Sequence, residues 1–189
     1  MITLSDVKAK AFDHAQLNAI SGAVFDRRQE HRYLLWRNFT GSECGSSIAF
    51  IMLNPSSADA SYSDPTIKRV EGFVRAWGYE RLLVVNLFSL RSAVPRDLLL
   101  SSDPAGIKRG RDNDDWIGLA AQCADRIVLA WGAFVDHRPH FAARSRDVLS
   151  RLPKDRCSVL GLTAGGVPRH PLYLKKDTLP SDAPTTLWP

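Results

Sequence analysis

The sequence is poor in cysteine: Cys44, Cys123 and Cys157 are odd in number and widely spaced. Such a set makes neither a disulfide framework nor a CxxC-type zinc site, so a reducing compartment is expected. Long apolar runs are also missing. The opening residues, MITLSDVKAKAFDHAQ, lack signal-peptide character, and nothing approaches the ~20 apolar residues that span a bilayer; this gives no expectation of a membrane partner and points to the cytoplasm. Repeats, low-complexity linkers and blocks of one charge are absent. A single domain over 1–189 is therefore expected, with 1–20 as a lead-in and 176–189 as an irregular tail. The chain contains no GxSxG elbow, no GxxxxGK[ST] loop, no GxGxxG after a strand and no HExxH helix. A serine triad, a dinucleotide site and a zincin centre go with them, and no cofactor is expected.

What is present suits an ordinary globular core, since 44% of residues are hydrophobic. The balance of 25 Lys+Arg against 20 Asp+Glu gives +5, a charge that fits an anionic partner such as nucleic acid or a nucleotide. The basic residues are spread along the chain, so solubility is the competing reading of that charge.

Segments GAVFDR (22–27) and HRYLLWR (31–37) are rich in β-formers and read as an antiparallel hairpin at a sheet edge. IAFIMLN (48–54), LLVVNLF (82–88), RIVLAWG (126–132) and RCSVLGL (156–162) are nearly continuous apolar runs, the pattern of strands buried on both faces. Between them lie helical patterns. Ile67, Val70, Phe73, Val74 and Trp77 recur at helical spacing within 65–79, with Asp64 or a nearby serine as cap, Pro65 in the first turn and Gly78 as the stop. Two more helices are expected over about 112–123 and 139–152, with a short one after Pro95. Alternating strands and helices predict an α/β fold, three layers α/β/α around a mainly parallel sheet, with ligands bound beyond the carboxyl ends of the strands.

The unusual residues fall at those ends. Pro55 pushes Asn54 toward an extended conformation that can aim its amide into a cleft, although Asn-Pro-Ser-Ser is also simply a good turn. Asp59 and Asp64, close behind, are either helix and turn caps or the carboxylates of a metal-dependent hydrolase. Asn86 is an amide inside an apolar strand and must be satisfied by backbone, side chain, water or ligand. Arg91 and Arg96 follow it and suit a phosphate or carboxylate, or only a solvated surface. Trp131 reads as core or as a stacking surface. Finally, Pro168 and Pro171 frame Arg169 and His170 beside a Gly165-Gly166 hinge, with Tyr173 close by, presenting one cation and one imidazole at a fixed place. His14, His31, His137 and His140 lack such framing and read as surface or local hydrogen-bonding residues.

The segments IMLNPSSADA (51–60), DPTIKRVEGFVRAWGY (64–79), VVNLFSLRSAVP (84–95), AWG (130–132) and LGLTAGGVPRHPLYL (160–174) together resemble the bacterial and phage family called domain of unknown function 1643. The order of motifs is also similar to that of the uracil-DNA glycosylase superfamily. There a first strand ends in a water-positioning motif, Gly-Ile-Asn-Pro-Gly in the mismatch-type members, a later strand carries a base-reading asparagine, and a His-Pro-Ser loop follows. Leu53-Asn54-Pro55-Ser56, Asn86 and His170-Pro171 stand in those places, with Leu172 where that superfamily has serine.

The second resemblance implies that Asn54 orients an attacking water, Asn86 hydrogen-bonds a nucleobase edge and His170 stabilises charge on the departing base. It implies Phe73, Tyr62 or Phe88 as a stacking wall, and Arg69, Arg91 or Arg169 as phosphate contacts. Ser56 and Tyr173, beside the two motifs, complete the substrate-binding set. The expectation is a nucleobase- or nucleic-acid-binding protein able to hydrolyse an N-glycosidic bond. The alternatives are a binding module without turnover and the metal-dependent hydrolase of Asp59 and Asp64.

Overall fold

The structure, a computed structural model, describes residues 20–42, 45–107, 113–136 and 138–175, together with the strand backbone at 15–17 and 186–187. His14, Cys44, Asp112, His137 and most of the expected lead-in and tail lie outside the described residues.

Eight strands, β1 (Ala15–Leu17), β2 (Ser21–Phe25), β3 (Arg32–Asn38), β4 (Ser47–Met52), β5 (Arg81–Asn86), β6 (Arg126–Leu129), β7 (Cys157–Val159) and β8 (Thr186–Leu187), form one sheet in the order β1-β2-β3-β5-β4-β6-β7-β8. The four apolar runs are β5, β4, β6 and β7, and they pair in parallel. The hairpin β2–β3 is antiparallel as its composition predicts. It is not the edge, because β1 pairs outside it and β3 joins it antiparallel to β5. At the other side β8 pairs antiparallel with β7. The sheet is thus mixed, a parallel core with antiparallel flanks, rather than mainly parallel.

Helix α1 (Pro65–Ala76) begins as expected: Asp64 accepts the Ile67 N–H at 2.9 Å and Pro65 fills the first turn. It ends at Ala76, with Trp77, the last residue of the apolar pattern, as its C-cap and Gly78 as the stop. Gly78, at φ 76, lets its own N–H reach the Arg75 carbonyl and the Tyr79 N–H reach the Val74 carbonyl, a Schellman end. Helices α2 (Asn113–Cys123) and α3 (Pro139–Ser150) are the other α-helices among the described residues.

Side-chain alternation along β4 and β5 divides the core. Ile48, Phe50, Met52, Leu82 and Val84 pack with Ile67, Val70, Phe73 and Val74 of α1. Ala49, Ile51, Leu83 and Val85 pack with Trp116, Ile117 and Ala120 of α2 and Phe141 and Val148 of α3. Trp131 joins that second cluster, so it is core. No helix among the described residues is long and apolar enough to cross a membrane.

Candidate functional site at the carboxyl ends of the parallel strands

The chain leaves β4 through α1 to β5 on one side, then returns through α2 to β6 on the other. The loops after β4 and β6 therefore leave in opposite directions, and this is the switch point at which sheets of this kind take their ligands. Asn54 follows β4, Asn86 ends β5 and Gly132 follows β6.

Asn54 is half-buried, and its Nδ2 donates to the carbonyls of Ser92 at 2.8 Å, Pro55 at 3.1 Å and Leu90 at 3.4 Å. The nitrogen thus ties the β4 loop to the β5 loop and leaves Oδ1 as the group that can orient a water. Asn86 is 1% exposed. Its Oδ1 accepts from Arg32 Nη2 at 3.3 Å, while its Nδ2 is buried with no hydrogen-bond partner among the described residues.

His170 is placed by three contacts. A tight hairpin, Thr163 N–H to Val167 carbonyl and Gly166 N–H to Thr163 carbonyl, returns the chain, and Gly132 N–H then takes the Pro168 carbonyl at 2.9 Å. Gly166, at φ 75, supplies the turn, so this glycine pair is a corner rather than a hinge. The His170 Cβ packs over Gly132 so closely that a Cβ there would lie 2.9 Å away. Leu172 N–H donates to His170 Nδ1 at 3.3 Å, which puts the proton of the neutral ring on Nε2. Burial pushes the imidazole from 6.5 down to about 4, against the charge of Asp64, so the ring is neutral at pH 7.

Asp64 also acts on Arg32, so one carboxylate favours the charged forms of both Arg32 and His170. Arg32 is 1% exposed, and Nη1 donates to the Ala58 carbonyl at 3.0 Å. Burial lowers its pKa to about 9; Arg91 and Arg37 add to that, and Asp64 and Asp59 oppose it. It remains a cation at neutral pH.

Asn86 and Arg32 are thus in contact and Asp64 lies within electrostatic reach of both Arg32 and His170, whereas among the described residues no hydrogen bond joins Asn54 to Asn86 or His170. Ser56 is half-buried beside Asn54, and Tyr173, 79% exposed, lies with its ring 5.5 Å from that of His170. Arg91 is half-buried over Phe25 and donates to the Gln29 carbonyl; Arg169 is exposed and donates to the Leu162 carbonyl. Phe73 departs from its expected place. It is 0% exposed, stacked on Trp77 at 5.3 Å inside the α1 core, and has no surface for a base. Phe88 is likewise buried, against Phe141 at 4.5 Å, while Tyr62 is exposed.

The carboxylates behave as caps. Asp59 Oδ1 accepts from the Ser61 and Tyr62 N–H groups and from the Ser61 hydroxyl. Asp64 caps α1, and no group of three or more metal-ligating side chains occurs among the described residues. His31 is buried rather than on the surface: its Nδ1 meets Ser89 Oγ at 2.9 Å, and that hydroxyl donates to the Ala105 carbonyl. A cavity of about 380 Å³ lies elsewhere, lined by Arg37, Asn38, Phe39, Glu71 and Arg75 among others, and contains none of the predicted site residues.

Arg32 is the member of the cluster that sequence reasoning missed. Its only signal was a charge ahead of the apolar stretch 33–36. A family model described as protein of unknown function, DUF1643, matches residues 32–172, from Arg32 to the turn after His170. The chain belongs to this family. The DUF1643 match takes in β3 to β7, the three helices and every candidate site residue except Tyr173. Comparison with curated proteins and with solved structures found no match.

Proposed function

We propose that this DUF1643 protein is a nucleobase- or nucleic-acid-binding protein of uracil-DNA glycosylase-like, three-layer α/β/α architecture, equipped to hydrolyse an N-glycosidic bond. The observation that supports the reading is that the loops around one switch point carry both a neutral imidazole with its proton on Nε2 and a buried amide whose N–H has no partner among the described residues. A neutral ring donates a hydrogen bond to a departing base without first carrying a competing charge, and an unpaired buried amide is the group a base edge would satisfy. Asn54 Oδ1 positions the water. Tyr173 stands at the mouth as a stacking surface, and Arg91 and Arg169 face the anionic backbone. The free thiols Cys123 and Cys157 suit a cytoplasmic setting.

Binding without turnover is the second reading, and one observation favours it. Asn54 has no strong base in its own loop, because Asp59 is committed to the Ser61–Tyr62 turn.

The test is base release followed by mass spectrometry, with single- and double-stranded DNA carrying uracil, mismatched and modified bases, and with Asn54→Ala and His170→Ala in parallel. Release by the wild type alone supports hydrolysis. Salt-sensitive binding without release selects the second reading, and neither outcome removes both.

A further inference from the structure

The amide of Asn86 has one orientation available. Arg32 Nη2 donates to Oδ1, and a guanidinium carries donors only, so the oxygen must face the arginine and the nitrogen must face away. Exchanging the two would set donor against donor between two buried side chains. Arg32 is itself fixed, by the Ala58 carbonyl on Nη1 and by its own backbone N–H to the Ser89 carbonyl at 2.9 Å. Asn113, from the opposite face of the sheet, bonds the backbone carbonyl of Asn86 at 2.9 Å and does not satisfy its side chain. Among the described residues two donors, Asn86 Nδ2 and Arg32 Nε, are left buried and unpartnered on groups that touch one another. Nature rarely leaves such groups unmatched, and what matches a donor is an acceptor.

Resting on the base-binding reading above, we propose that Arg32 is the positioning residue that sets the specificity of the site. It turns Asn86 so that only an N–H is offered, and the ligand taken is a base that presents a ring carbonyl oxygen at that point. The reading is one-sided: with Oδ1 occupied by Arg32, a ring N–H beside the carbonyl finds no acceptor on Asn86. An exocyclic amino group in place of the carbonyl would meet the amide donor to donor, at a loss of about tenfold or more in affinity.

The experiment is calorimetric titration of the full chain with uracil and cytosine, and with hypoxanthine and adenine. Each pair exchanges a carbonyl for an amino group with little change of shape. The wild type is expected to bind the carbonyl-bearing member at least about tenfold tighter. In Arg32→Gln the neighbouring side chain offers both donor and acceptor, the Asn86 amide regains both orientations, and the ratio is expected to fall within about threefold. Equal weakening toward both members, with the ratio kept, is what a merely structural arginine gives, and it overturns the proposal. Because loss of a buried arginine can unfold the chain, Asn86→Asp is the second variant. Its carboxylate keeps the shape and pairs with Arg32 but has no donor, so the carbonyl preference should vanish while the melting temperature holds. Persistence of the preference in Asn86→Asp overturns the proposal. A wild type that favours neither member, or the amino member, overturns the role of Arg32 and leaves base binding standing. No binding of any of the four bases at millimolar concentration overturns both.

Discussion

Acidification from pH 7 to pH 5 is expected to destabilise the native chain by about 2 kcal/mol through His170 alone. The folded-state pKa lies at about 4 against an ordinary 6.5, because burial disfavours the charged ring, whose Nδ1 is already taken by the Leu172 N–H, and the charge of Asp64 offsets only part of that cost. Between these two values the unfolded chain binds a proton that the native chain does not. Stability therefore rises with pH across the window, and the loss is complete once pH falls below about 4. At about 1.4 kcal/mol for each tenfold change, the full effect is about 3 kcal/mol. Urea unfolding of the wild type and of His170→Gln at pH 7, 6, 5 and 4.5 reads it as the difference between the two proteins. Asp59 and Asp114 do not confuse the comparison. Burial raises both carboxyls, but hydrogen bonds from Tyr62 and Ser61 hold Asp59, and Arg144 and Arg151 hold Asp114, below the ordinary 3.8. Their contribution is present above that value, is lost beneath the His170 window, and is the same in both proteins. Parallel pH profiles, or an imidazole resonance lost in His170→Gln that titrates near 6.5 in the wild type, would refute the reasoning.

Gly132→Ala combines a left-handed backbone, φ 80, with a Cβ driven to 2.9 Å from His170, and should cost about 1–3 kcal/mol while shifting the His170 ring resonances; an unmoved ring contradicts the packing. Phe73→Ala should lose about 3–5 kcal/mol in denaturant unfolding and leave affinity per folded molecule unchanged, whereas a stable variant that no longer binds would restore Phe73 as a stacking wall. Asn54→Ala releases three backbone carbonyls and should cost about 1–2 kcal/mol, as well as abolishing any turnover; turnover retained in both this variant and His170→Ala removes the proposed site. Magnesium, manganese or EDTA should leave the melting temperature unchanged, since Asp59 and Asp64 already accept backbone N–H groups; a clear metal-dependent rise would revive the hydrolase alternative.

The alternation of apolar runs with 3.6-residue patterns determined the parallel core, the three helices, the placing of Asn54 and Asn86 at strand ends and that of His170 in a proline-framed loop. Those signals are local, a strand buried on both faces or a proline-framed loop, and need no partner to be read. Burial of Phe73 and Phe88 was not legible, because helical or strand spacing fixes a face but not what covers it. Strands β1 and β8 are too short to carry a pattern. Arg32 shows the limit most clearly. Strict alternation puts Arg32 on the same face as Leu34, which packs toward α2 and α3. Pairing shifts between Val24↔Leu34 and Phe25↔Arg32, leaving Tyr33 as the extra residue of a bulge, and the arginine turns to the α1 face, where it meets Asn86 and Ala58. A one-residue slip reverses every side chain beyond it, and the sequence of one strand does not reveal a slip that exists only against its neighbour. The sequence by itself determined which elements form and which polar residues stand at their ends; the bulge, the crossing of β3 beside β5 and the return of the 163–167 hairpin onto Gly132 decided which of those residues share a site, because each depends on contacts far apart along the chain.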